Sequence, residues 1–228
     1  MEVVKLEEHF DTFHALDTEK KERIINAALD EISRKGFKKA STNVIVENAG
    51  ISKGTLFYYF GSKEELFDFL CDYTIEFAKQ EYAGKFEHQA QTGDFIERYR
   101  ILSEIKKYAI SVQPKIIKFY ESFYYPENAA YFEKYNDSIK EIRKSITDNL
   151  FEKIDYSLFR DDVAPEKIII YIKWLLESYE KDLTDKMHKN ASGKEFSESE
   201  SIIMSTEVDT LFDEFYAFLA DLRKAFYK

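Results

Sequence analysis

Apolar residues recur at helical spacing from the first part of the chain. Ile25, Leu29 and Ile32 fall at i, i+4 and i+7 with Ala28 beside them, which predicts a helix from about Thr18, its candidate N-cap, to Lys35. Arg34 and Lys35 suit the negative carboxyl end of that helix, and Gly36 supplies a left-handed stop. A second, short helix follows, opened by Thr42 and closed at Ala49, with Ile45, Val46 and Ala49 on its inner face. Gly50 then makes a tight turn, Ser52 caps a third helix over Lys53 to Phe60, and Gly61 ends it. Ser62 with Glu65 three residues on forms a capping box, so a fourth helix starts there and runs towards Glu87. Phe10, Phe13 and Leu16 are the apolar points of a short preamble, expected to pack on this head.

Downstream the periodic stretches lengthen, and helices are predicted near 94–111, 114–125, 127–153, 165–190 and 198–226. Gln91-Thr92-Gly93, Pro114, Pro126, Pro165 and the stretch Asn190 to Ser197 punctuate them. With only 7 glycines and 3 prolines in 228 residues, a turn-rich β fold is disfavoured. The predicted class is all-α. No internal repeat of 20–50 residues is visible.

Charge changes the picture. The net charge of -10 argues against nucleic-acid binding by the chain as a whole. Residues 18–70, however, hold nine Lys/Arg and eight Asp/Glu, while 1–17 carry one Lys against five acids. A near-neutral head on an acidic body suits a protein whose head alone approaches phosphate. The single cysteine, Cys71, excludes an internal disulfide and a Cys-rich zinc site; it reads as a small core residue more readily than as a redox sensor. No apolar run approaches the ~20 residues that span a bilayer, and the N-terminus lacks a basic signal region, so a soluble, cytoplasmic protein is expected. His9, His14, His88 and His188 are scattered without metal-ligand spacing. No nucleophile motif, phosphate loop or paired-carboxylate signature is present, so neither enzyme activity, cofactor nor metal is expected.

The stretch from Thr42 to Lys63 carries the chemistry. Helix, short turn at Gly50 and second short helix make a helix-turn-helix. Leu56 and Phe60, four apart, point inward; Lys53 and Phe57 share another face, widened by Thr55, Tyr58 and Tyr59. So many rings on a short outward surface make sense if something covers them. A DNA duplex offers partners: a guanine edge or phosphate for Lys53, close backbone approach at Gly54, a hydrogen bond for Thr55, a thymine methyl for Phe57, and phosphates for Tyr58 and Tyr59. Thr42 and Lys63 sit at helix amino ends, where amides and dipole attract phosphate. The rival reading is a helical protein-interaction module that uses the same rings to bind a protein and binds no DNA.

These residues resemble the TetR family of repressors. The resemblance rests on Arg23 to Leu29, Lys35-Gly36-Phe37, Ser41-Thr42, the run Ala49 to Phe60 and Ser62 to Leu66, and covers about residues 18–66 with spacing kept throughout. It implies DNA contacts at Thr42, Asn43, Lys53, Gly54, Thr55, Phe57, Tyr58, Tyr59 and Lys63. Phe57 stands where the family often has Tyr, so a hydroxyl is absent there, and Val46 stands where Ala is common. The expected organisation is a helix-turn-helix DNA-binding domain at 1–66, including the N-terminal extension, and a helical ligand-binding and dimerisation domain at 67–228.

For that second domain the resemblance implies a homodimer joined through two C-terminal helices of each subunit, on a palindromic operator. Ile168, Ile172, Leu175, Tyr179 and Leu183 mark one candidate interface stripe; Leu211, Phe215, Phe218 and Leu222 mark the other, though either stripe also suits domain core. The middle of the chain is rich in aromatics. Tyr108, Phe119, Tyr120, Phe123, Tyr124 and Trp174, with Glu104 and Glu177 in otherwise apolar surroundings, are candidate ligand-binding residues for a small hydrophobic or aromatic inducer. Ligand binding is expected to release the repressor from DNA, with the fourth helix as the lever.

Overall fold

The structure, a computed structural model, describes residues 12–123, 129–191 and 198–228, and the side chains of these except 129, 180, 183–191 and 198–207. Among them every regular element is helical, and the single β-bridge, Phe159 to Tyr227, stands alone. The chain divides into two compact units: one holds residues 1–84 and 112–145, the other 85–111 and 146–228.

In the first unit, α1 spans Thr18–Lys39, α2 Thr42–Ala49, α3 Lys53–Phe60 and α4 Lys63–Phe77. The caps of α1 and α2 lie one residue before the threonines expected to supply them. Asp17 accepts the Lys20 amide at 2.8 Å, and Ser41 is the residue preceding α2. Gly36 breaks α1 at φ 71°, ψ 157°, so the first helical stretch ends where the glycine was expected to end it, and Phe37–Lys39 continue as a short helical turn beyond the kink. Ile24, Ala28, Leu29 and Ile32 form a buried inward stripe on α1, which packs on α2; Ile45 and Ala49 of α2 and Leu56 and Phe60 of α3 are buried as well. Phe13 of the preamble is buried at 1% exposure among Phe60, Tyr59 and Phe69, with ring centroids 4.8, 5.8 and 5.2 Å away. Phe10 lies outside the described residues.

The fourth helix is not continuous to Glu87. Residues Ala78–Gly84 wind as a π-helix, and α5, Lys85–Gln89, follows. That short helix belongs to the second unit, while the first unit also holds α7, Pro114–Ser122, and α8, Ala129–Phe132. The expected helix over 127–153 is interrupted by a 3-10 turn at Glu133–Tyr135 before α9, Asn136–Phe151. The tighter turn brings Phe132 and Tyr135, three apart, inward together. Tyr135 then donates its hydroxyl to Asp68 of α4 at 2.9 Å, and Lys134 pairs with the same carboxylate at 2.6 Å.

The second unit is built on α6, Phe95–Val112, with α10, Pro165–Ala191, and α11, Glu198–Phe226. Phe95, Ile168, Ile172, Leu176, Phe215, Leu219 and Leu222 form its core. Two polar devices close it. Arg98, 5% exposed, donates to the carbonyls of Thr92, Asn149, Leu150 and Glu152 and so caps the carboxyl end of α9, where cationic charge is favoured. Asp94 accepts the Tyr227 hydroxyl at 2.8 Å and pairs with Arg223 at 2.6 Å, tying the chain end to the start of α6. None of the described helices is long and apolar enough to cross a membrane.

Candidate nucleic-acid interface

The turn between α2 and α3 is set by one backbone conformation. Gly50 sits at φ 66°, ψ 35°, the Gly50 amide reaches the Glu47 carbonyl at 3.2 Å, and the Ile51 amide reaches the Val46 carbonyl at 3.0 Å. This is a Schellman closure, which needs a left-handed residue. A side chain at Gly50 would meet nothing within 4 Å, so the glycine is required by its φ and not by space. Three residues later α3 begins. Ser52 accepts the Thr55 amide at 3.0 Å, and its hydroxyl bonds that of Thr55 at 2.8 Å. The amino end of α3 is thereby fixed before any partner arrives.

The eight residues of α3 divide cleanly. Leu56 and Phe60, each 1% exposed, anchor it. Lys53 and Gly54 are exposed, Thr55 and Phe57 are half-buried, and Tyr58 is 58% exposed. The Lys53 ammonium lies 6.0 Å from the centre of the Phe57 ring. One outward surface therefore carries a cation, a backbone unobstructed by a side chain, a hydroxyl and two aromatic faces. Thr42, half-buried, and Asn43, exposed, stand at the amino end of α2.

Two of the expected contact residues are placed differently. Tyr59 is only 7% exposed: its ring packs on Phe13 and its hydroxyl accepts from the Lys20 ammonium at 3.4 Å. Its position one turn before α4 puts it with Leu56 and Phe60, so it supports α3 and does not join the outward surface. Lys63 lies 4.8 Å from the centre of the Phe37 ring and donates to the Lys38 carbonyl at 3.4 Å. The exposed pair Lys38 and Lys39, just before α2, was passed over in the sequence; two adjacent lysines after a helix-stopping glycine were the available signal.

The residues expected to bind a ligand divide between the two units. Phe119 and Phe123 are buried and Tyr120 half-buried in the first unit, where Phe119 and Phe123 pack on Phe132. The gap nearby, bordered by Phe37, Phe67 and Phe132, is about 10 Å³, room for a single water. Glu104, Tyr108, Trp174 and Glu177 belong to the second unit and are all exposed, Glu104 held by Arg100. Tyr124 lies outside the described residues. The second unit does contain a cleft of about 560 Å³ between α6 and α11, floored by Ile96, Leu219 and Ala220 and edged by Arg100, Tyr216 and Arg223.

The two candidate interface stripes lie mostly within the subunit. Ile168, Ile172, Phe215 and Leu222 are sealed in the core of the second unit, because they are the face on which α10 and α11 pack together. Tyr179 stacks on Phe218 at 4.6 Å, and Leu211 is half-buried. Of these positions Leu175 is the outward one, at 42% exposure, beside Tyr171 at 38% and Trp174 at 62%. The side chain of Leu183 lies outside the described residues.

Comparison with known proteins agrees with the geometry of the head. The family model for bacterial regulatory proteins of the tetR family matches residues 24–69. An uncharacterised HTH-type transcriptional regulator of Bacillus subtilis, YvdT, is 36% identical over 66 residues, a match that spans 29% of this chain and 34% of that protein. An HTH-type transcriptional regulator of Staphylococcus aureus is 26% identical over 178 residues, covering 71% of this chain and 92% of that one. The ketosteroid transcriptional regulator KstR2 of Mycobacterium tuberculosis shares the fold at a TM-score of 0.57 and 20% identity, over 93% of this chain and 97% of that one. A TetR family regulator from Chloroflexus aurantiacus aligns at a TM-score of 0.53 and 19% identity, over 96% and 98% of the two chains. Sequence and backbone thus converge on the same N-terminal reading head: the chain is a DNA-binding transcriptional regulator whose residues 24–69 are similar to the DNA-binding domain of the tetR family.

Proposed function

We propose that this regulator is a homodimeric repressor that binds a palindromic operator through α3 and leaves it when a small hydrophobic or aromatic molecule binds the helical body. The observation that carries the DNA part is the capped α3, with Lys53, Gly54, Thr55 and Tyr58 outward and Leu56, Tyr59 and Phe60 locked inward. One such helix reads few base pairs; two related by a two-fold axis double the contacts and match a palindrome. The DNA contacts proposed are Thr42, Asn43, Lys53, Gly54, Thr55, Phe57 and Tyr58, with Lys38 and Lys39 reaching phosphate. DNA binding is assigned to residues 1–66, and dimerisation and ligand response to 67–228.

The dimer face is proposed on the outward side of α10, at Tyr171, Trp174 and Leu175. Exposed rings of this size cost solvation unless covered, and they lie beyond the stripe that the subunit uses for its own core. Ligand response is proposed for the cleft between α6 and α11, whose volume and apolar floor with a polar rim suit a compact amphipathic compound. Release requires that the ligand favour one conformation over another, since equal affinity shifts nothing.

The test is selection of bound duplexes from a random pool, followed by titration of the selected site with and without candidate compounds. The proposal expects a palindromic consensus, one dimer per site and weaker binding in the presence of a ligand. Selection of no sequence above background refutes the operator reading. Unchanged affinity with every compound that binds refutes the release mechanism. Filling the cleft with Ala220→Trp should abolish compound binding and leave operator affinity intact.

A further inference from the structure

Three helix starts stand together in the head, and they are not secured alike. Ser52 accepts an amide of the first turn of α3, and Ser62 accepts the Glu65 amide at 3.0 Å in the first turn of α4. Ser41, which precedes α2, makes no side-chain cap bond. In a capping box the backbone amide of the cap residue is taken by a Glu three positions on. Here that position is Val44, which has no acceptor. The acceptor comes from another helix: Glu31 of α1 receives the Ser41 amide on Oε1 at 3.0 Å.

Glu31 is an expensive residue in that place. It is 3% exposed and interrupts an otherwise apolar inward face with Ala27, Ala28 and Ile32. A buried carboxylate is tolerated only when it is paired and hydrogen-bonded. Arg34, a turn away, lies 3.7 Å from its Oε2 and divides itself between Glu31 and Asp30, the latter at 3.2 Å. An apolar side chain would suit the core better, but it would leave the Ser41 amide, at the amino end of α2, without this acceptor. Thr42 and Asn43, two proposed DNA contacts, are the first two residues of that end.

We infer that Glu31 is a positioning residue for DNA binding: its buried carboxylate holds the Ser41 amide so that the amino end of α2, with Thr42 and Asn43, is presented to a backbone phosphate in one fixed orientation. The inference rests on the DNA-binding reading of the head and adds to it a residue that never touches DNA. The acceptor oxygen does the holding, while the charge is neutralised locally by Arg34. A neutral acceptor of the same shape should therefore serve nearly as well, and an apolar residue of similar size should not.

The experiment uses the full-length protein and its selected duplex. In the wild type, the Ser41 amide should exchange with solvent at least about tenfold more slowly than those of Thr42 and Asn43, which have no helical acceptor. Glu31→Leu should keep the helical fold, lose that protection, and bind the duplex about tenfold more weakly at about 100 mM salt, with a salt slope smaller by about 0.9 for each phosphate the protein no longer engages. Glu31→Gln should stay within about twofold of wild type in affinity and keep the slope. A merely structural role would lower the melting temperature of Glu31→Leu while leaving affinity and slope unchanged well below it, and that result overturns the inference. Glu31→Gln as damaged as Glu31→Leu also overturns it. If Glu31→Leu does not fold, the wild-type exchange rates and Glu31→Gln decide: an unprotected Ser41 amide is contrary. If the wild type binds no duplex at all, the DNA-binding reading falls first and this inference with it, an outcome distinct from intact wild-type binding that Glu31→Leu leaves untouched.

Discussion

Truncating Phe13 to Ala removes a ring that lies outside the helix-turn-helix yet under it. Phe13 is 1% exposed and meets Phe60 and Tyr59 of α3 and Phe69 of α4, with centroids 4.8 to 5.8 Å away. Phe→Ala at a fully buried site costs about 3–5 kcal/mol, the spread reflecting how far the cavity collapses. The edge-to-face contact with Tyr59 and Phe69 adds to packing and places the cost in the upper part of that range. For a chain of this size each kcal/mol shifts the melting temperature by about 2–4 °C, so a cost of about 4–5 kcal/mol should lower it by about 8–20 °C. Calorimetry with near-ultraviolet circular dichroism reads this directly. Because Tyr59 and Phe60 are the inward anchors of α3, operator affinity should fall along with stability. Phe13→Leu keeps most of the volume and should cost under about 1.5 kcal/mol. A melting temperature for Phe13→Ala within about 2 °C of wild type, with operator affinity intact, would show that the preamble is not part of the reading head.

Three further outcomes are expected. Gly50→Ala forces a side chain into the left-handed region at φ 66° and should cost about 1–3 kcal/mol, Gly50→Asn distinctly less, as read by chemical denaturation; equal losses would mean that the turn does not depend on φ. Trp174→Glu places a charge on the proposed dimer face and should give monomers in sedimentation while circular dichroism shows the helices intact; an unchanged dimer excludes that face. Burial pushes the Cys71 thiol up, so the folded state keeps its proton at pH values where the unfolded thiol, near about 8.5, has lost it. The folded thiol should therefore resist disulfide reagents at pH 9, and its contribution to stability, complete below about 8.5, should be lost progressively as pH rises from that value towards the raised pKa of the folded state. Rapid modification of the native protein would contradict this burial.

Much of the head could be read from sequence because its signals are local. Gly36, Gly50 and Gly61 mark left-handed stops, and Ser52 and Ser62 mark capped starts, each within three residues of the group it serves. What local signals do not carry is which way a ring turns when several are adjacent. Tyr58 and Tyr59 look alike in the sequence, and it is Phe13, 46 positions upstream of Tyr59, that draws one of them inward. The same reason hid Glu31, an ordinary helical glutamate until Ser41 is folded against it. In the body, a stripe at helical spacing marks burial without saying against what: Ile168 and Ile172 proved to face Phe215 and Leu222 of their own subunit. The π-helical turn at Ala78–Gly84 had no sequence signal that we can identify, and we have no physical account of it.

The central claim is that α3 reads DNA with the face on which Lys53, Thr55 and Tyr58 stand. It is tested most directly by titrating a selected duplex with the wild type and with the combined Lys53→Ala, Thr55→Ala, Tyr58→Ala protein across a range of salt. The account predicts tight binding by the wild type that weakens steeply as salt rises, and loss of specific binding by the variant with its helices intact. A wild type that ignores every duplex at low ionic strength, or a variant that binds the selected site as tightly as the wild type, would contradict it.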